Sequence, residues 1–168
     1  MMDTYQIFLI TGLGIVLVFG VLLPLLFQKK HEYMLRYFRQ KTNVRLQLVK
    51  DLSKEVSAIP SDLSSIEMVA VLTLILLDKT VSETYAVAQR FATNGWQGKF
   101  NDEFFDRLDS TARAFSARGW NRAGIDLFRL GQQIAESNGN SHWVREFSAG
   151  IQRLQYRQVQ SGLPNKMK

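Results

Sequence analysis

The chain has 168 residues, of which 46% are hydrophobic, 21% charged and 11% aromatic, with a formal net charge of +6. It has no cysteine and two histidines, His31 and His142, so a disulfide framework, a thiolate zinc site and a cysteine nucleophile are excluded, and histidine-based catalysis nearly so. The hydrophobic fraction excludes wholesale disorder, and three prolines with eleven glycines exclude a collagenous or low-complexity chain.

Residues 7–27, IFLITGLGIVLVFGVLLPLLF, carry no charge, and at about 1.5 Å per residue they reach the roughly 30 Å needed to cross a bilayer. A secretory signal peptide would need a basic stretch before the apolar run and a small-residue cleavage site after it. Instead MMDTYQ precedes the run and QKKHEYMLRYFRQK follows it. The reading is a retained transmembrane helix at 7–27 behind a short outside N-terminus at 1–6. Asp3 is the single charge before the span, whereas residues 29–54 hold Lys29, Lys30, Arg36, Arg39, Lys41, Arg45, Lys50 and Lys54 against Glu32 and Asp51. Basic residues beside a span resist translocation, which predicts a single-pass membrane protein with its N-terminus outside and its C-terminal domain cytoplasmic. Lys29, Lys30, Arg36, Arg39 and Lys41 are then candidates for contact with anionic lipid headgroups of the bilayer, at about 1 kcal/mol each. Gly12, Gly14 and Gly20 form neither GxGxxG nor GxxxG; they leave room for a homo-oligomer without specifying one.

No glycine or proline occurs from Gln28 to Ser57, so residues 28–59 read as a basic juxtamembrane helix continuing from the span. Leu35, Phe38, Val49, Leu52, Val56 and Ile59 fall on the apolar places of one heptad frame, but Thr42 and Arg45 interrupt it. A helix laid on its own domain fits this better than a coiled coil.

Residues 60–159 read as an all-α cytoplasmic domain, and 160–168 as a flexible tail. Ser64 with Glu67, and Thr80 with Glu83, have capping-box spacing and open two helices, the first over the apolar run Ile66 to Leu77 and the second closed by Asn94-Gly95. Together they predict a helical hairpin. Asn101 caps a third helix to about Arg118, Gly119 ends it, a fourth runs from Asn121 to Ser137, and Ser141 caps a last helix to about Gln158. No segment alternates as a strand does. Charge is blocked along the domain, with a balance of −5 over residues 55–106 and +6 over residues 107–168.

The stretch AQRFATNGWQGKFNDEFF from Ala88 matches ARAFSARGWNRAGIDLFR from Ala112 at Phe91/Phe115, Gly95/Gly119 and Trp96/Trp120, among others. The spacing is short for a two-helix solenoid unit, so the match reads as two similar helix ends. The second stretch also resembles a tetratricopeptide repeat: Leu108, Ala112, Phe115, Gly119, Gly124, Phe128 and Gly131 fall on that family's large, small, aromatic, turn and small places. Thr111 stands where a leucine is usual and Glu136 where the closing proline would be. The resemblance implies a helical hairpin used for protein binding, with no catalytic role.

Asp102, Glu103, Asp106 and Asp109 are the one carboxylate cluster that could serve acid–base work or a hard metal, but acids in a first helical turn complement the dipole, and no second group completes a site. No catalytic residue, metal ligand or cofactor-binding residue is therefore assigned, and no enzyme activity is expected. Trp96, Phe115, Arg118, Trp120 and Arg122 are the candidate partner-binding residues, with Arg113, Arg129, Arg153 and Arg157 as a basic surface around them. The expectation is a small subunit or scaffold that docks protein partners, components of a membrane complex, at the membrane surface. Nucleic acid or anionic lipid, held by the basic helices, is the alternative partner.

Overall fold

The computed structural model describes residues 23–55, 60–96 and 98–162, and among them every regular element is a helix. Two compact units divide the chain, residues 1–42 and 43–168.

In the first unit the described part is α1, Leu23–Lys41. Met34 and Phe38 are buried, whereas Lys29, Lys30, Arg36, Arg39 and Lys41 are exposed. Here the expected single-pass placement, N-terminus outside and C-terminal domain cytoplasmic, is corrected. Among the described residues no helix is long and apolar enough to cross a membrane. Residues 7–22 of the expected span, with the expected outside segment 1–6, lie outside the described residues. The remainder, 23–27, opens a helix that soon fills with charge, from Lys29 and Lys30 through Glu32 to Lys41, and such a helix cannot shed its water for hydrocarbon.

The continuous helix expected after Gln28 is also interrupted, for α1 ends at Lys41 and α2 (Leu46–Lys54) begins only after Arg45. Thr42, Asn43 and Val44 are three consecutive weak helix formers, and the Thr42 hydroxyl bonds back to the Phe38 carbonyl at 3.1 Å. The two heptad misfits, Thr42 and Arg45, bracket this break.

In the second unit α2 turns Val49 and Leu52 inward and packs on α3, Ser65–Asp78. Helix α3 is apolar on every side, with each side chain from Glu67 to Ile75 buried, because it is surrounded by α2 and by α4 (Val81–Thr93), α5 (Asp102–Ala117) and α6 (Asn121–Ser137). Both capping boxes form as expected, Ser64 with Glu67 and Thr80 with Glu83, and the Asn101 side chain accepts from the Phe104 N–H at 2.9 Å. Helix α7, Ser141–Gly162, lies along α6 through Trp143, Phe147, Gly150 and Leu154. Its cap differs from expectation: the Asn140 side chain, one residue earlier than Ser141, accepts from the Trp143 N–H at 3.3 Å.

Helices α4, α5 and α6 end in the same way. The N–H groups of Trp96, Trp120 and Asn140 reach back to the carbonyls of Phe91, Phe115 and Ala135 at 3.2, 3.0 and 2.9 Å. Each bond closes over a glycine at positive φ, Gly95, Gly119 or Gly139, the Schellman geometry that satisfies orphan carbonyls at a helix end. The internal similarity at Ala88 and Ala112 is therefore a shared helix stop.

Candidate functional site

The tryptophans of the two similar stretches do not do the same work. Trp96 is fully enclosed, packs on Phe100 and Phe104 with ring centroids 5.3 and 5.7 Å away, and donates Nε1–H to the Leu63 carbonyl at 2.7 Å. Trp120 is half-buried and tilts over Phe115 at 5.3 Å. Phe115 is in the core. Of the five candidate partner-binding residues, then, Trp96 and Phe115 present no surface, Trp120 presents a part, and Arg118 and Arg122 are exposed.

The wider set of arginines is more informative. Arg113, Arg153 and Arg157 come together around a groove of about 150 Å³ whose other lining residues are Ser116, Ala117, Phe128, Gly150 and Leu154. Three helices make it, α5 giving its last turns, α6 the Phe128 ring, and α7 the stretch from Gly150 to Arg157. They approach closely because two glycines let them. A Cβ on Gly124 would meet the Ala112 carbonyl oxygen at 2.9 Å, and one on Gly150 would meet the Phe128 ring at 2.9 Å. Across α5 and α6, Gly124 also lies beside Ser116, and Gly131 lies against Leu108. Arg129 stays apart and pairs with Asp126 at 3.4 Å.

The three guanidinium groups differ in how far they are already satisfied. Arg113 is held bidentately by Asp109, Nε to Oδ2 at 2.6 Å and Nη2 to Oδ1 at 3.0 Å. That hydrogen-bonded pair, with Glu146 adding to the attraction, raises its pKa. Arg153 donates Nε–H to the Ala149 carbonyl at 3.2 Å. Its terminal nitrogens make no hydrogen bond among the described residues, and Arg157 makes no hydrogen bond or ion pair among them. Two exposed cations thus stand one helical turn apart beside an apolar floor.

The carboxylate cluster is dispersed among structural tasks. Asp102 Oδ1 accepts from Trp143 Nε1 at 2.9 Å, Glu103 lies 3.9 Å from Arg107, and Asp109 is taken by Arg113. Among the described residues no group of His, Asp and Glu side chains is gathered as a metal would require. In the sequence the three groove arginines stand out by charge, whereas Gly150, Ala117 and Leu154 do not. The glycine four residues before an apolar position and three before an arginine on one helix was the available signal.

No family model, curated protein or solved structure matches the chain.

Proposed function

We propose that this chain is a non-enzymatic docking protein, a small subunit or scaffold of a larger assembly, and that it holds its protein partner at the groove between α5, α6 and α7. One observation carries the reading: Arg153 and Arg157 keep open guanidinium donors beside an apolar floor of Phe128 and Leu154. Guanidinium groups recognise planar anions by paired hydrogen bonds, and an apolar recess beside them gives a bound side chain the desolvated contact that anchors an interface. The α5–α6 pair, with Gly124 and Gly131 set against Ala112 and Leu108, supports a platform of the kind the tetratricopeptide resemblance implies.

The test is photo-crosslinking in host cells from a benzoylphenylalanine placed at Ala117, an exposed lining residue, beside the same probe at Ala86, an exposed position on α4. One defined protein captured at Ala117, absent at Ala86 and lost when Arg153 and Arg157 are both changed to Glu, is the expected result. Equal capture at both positions would sink the proposal.

A further inference from the structure

We infer that the groove takes an acidic protein segment that presents one large apolar side chain between two carboxylates about a helical turn apart. This rests on the docking reading above and specifies the chemistry of the partner.

Arg113 is already committed to Asp109 and feels Glu146, so it walls the groove more than it offers charge. Arg153 and Arg157 are exposed and carry the available donors. At four residues' spacing on α7 they sit about 6 Å apart along the axis, which matches carboxylates at i and i+4 of a partner helix. The whole stretch from Arg107 to Lys168 has a balance of +6, so the surrounding field also favours an anionic segment.

A space of about 150 Å³ floored by Phe128, Gly150 and Leu154 has room for one benzene-sized group, so a leucine or phenylalanine side chain fits and an extended chain does not. Beyond Leu154 every described side chain of α7 is exposed, including Tyr156 and Val159. That exposure leaves Arg157 accessible beside the groove.

Nucleic acid fits less well. Sequence-tolerant strand binding needs aromatic faces on which bases stack, and the one ring in the groove, Phe128, is buried with its Cδ2, Cε2 and Cζ atoms against Gly150. Affinity from phosphates alone grows with the number neutralised, and two open cations supply little of it.

The experiment is fluorescence anisotropy on the full chain with a labelled alanine-based helical peptide that carries one leucine between two glutamates a turn apart. Comparison ligands are the peptide with glutamine for glutamate, the peptide with alanine for leucine, an oligothymidylate, and phosphatidylserine vesicles. The acidic leucine peptide should bind, and both altered peptides should bind at least about tenfold more weakly, as expected for loss of a charge-assisted hydrogen bond or an anchor. The same loss is expected from the double variant Arg153→Glu with Arg157→Glu, and from Ala117→Trp, which fills the groove from an exposed position. Circular dichroism melts check that both variants stay folded. If the peptide does not bind while the Ala117 probe still captures a defined protein, the ligand chemistry is wrong and the docking reading stands. If neither occurs, both fall. Binding of oligothymidylate or vesicles in place of the peptide overturns the inference. So does self-association of the chain that the double variant abolishes, since a second copy would then occupy the groove.

Discussion

Arg45 Nε donates to Glu67 Oε1 at 2.8 Å and its Nη2 to Oε2 at 3.3 Å, so the residue just before α2 is tied to the first turn of α3. The same carboxylate accepts the Ser64 N–H at 3.0 Å and the Ser64 hydroxyl at 2.8 Å. One buried acid therefore closes a capping box and joins two helices. Asp62 reaches the same guanidinium from its exposed side at 3.5 Å.

This arrangement makes the domain sensitive to acid. Burial would raise the pKa of Glu67, but the Arg45 bond and the two Ser64 bonds outweigh it and bring it from 4.5 to about 2. Between those values the unfolded chain takes up a proton that the folded chain refuses, so stability falls as pH falls. At about 1.4 kcal/mol per unit the shift would be worth about 3 kcal/mol, and solvent screening of the half-exposed Arg45 reduces this to about 1–2 kcal/mol. Urea titrations from pH 6 to pH 2.5 should show that loss in the wild type. Glu67→Gln should be weaker at neutral pH by a similar amount and should show a flatter pH dependence. A wild type and variant with parallel pH profiles would contradict the assignment.

Trp96→Phe should be among the most destabilising aromatic substitutions in the domain. It removes the donor to the Leu63 carbonyl and leaves that acceptor in a site where Trp96 and Leu63 are both buried. An unsatisfied buried group costs about 1–3 kcal/mol, and the lost ring volume adds a cavity term. A total of about 2–4 kcal/mol is expected from equilibrium denaturation, with a smaller effect from Trp120→Phe, whose ring is half-buried.

The ends of elements were the legible part of the sequence. Ser64 with Glu67, Thr80 with Glu83, and the helix stops at Gly95 and Gly119 are local devices, completed by residues within a turn of one another, and all of them form. Partners far along the chain were not legible. Three tryptophans near helix ends look alike in sequence, yet Trp96 finds a carbonyl 33 residues away, Trp143 finds a carboxylate 41 residues away, and Trp120 tilts half-buried over Phe115. The break at Thr42 to Arg45 escaped because it contains neither glycine nor proline. The groove was half legible: its arginines stand out by charge, but which three converge depends on how Gly124 and Gly150 let the helices cross.

Two glycines separate backbone strain from close packing. Gly119 has φ +82° with open space where a Cβ would go, whereas Gly124 has the Ala112 carbonyl oxygen 2.9 Å from that position. Gly119→Ala should cost about 1–2 kcal/mol through the left-handed conformation, and Gly119→Asn less, since asparagine tolerates it. Gly124→Ala should cost about 1 kcal/mol net, because crowding of about 1–3 kcal/mol is partly offset by about 1 kcal/mol of helix propensity. Gly124→Asn should be worse than Gly124→Ala. Opposite ordering of the asparagine and alanine variants at the two sites, read from denaturation midpoints, is the check.

The acids at the start of α5 allow a sharper separation. Asp102 accepts from the Trp143 indole at 2.9 Å and stands in the first turn, where negative charge also complements the helix dipole. Asp106 is exposed and makes no hydrogen bond or ion pair among the described residues. Asp102→Ala should therefore cost about 1–2 kcal/mol and shift Trp143 fluorescence, while Asp102→Asn, which keeps an acceptor, should cost about half as much. Asp106→Ala should lie within about 0.5 kcal/mol of the wild type. Were these carboxylates a divalent-cation site, added magnesium or calcium would raise the melting temperature of the wild type and not of Asp106→Ala. Equal melting curves with and without either cation are expected, because Asp102 is engaged by Trp143 and Asp109 by Arg113, which leaves Asp106 and Glu103 too few to hold a hard metal.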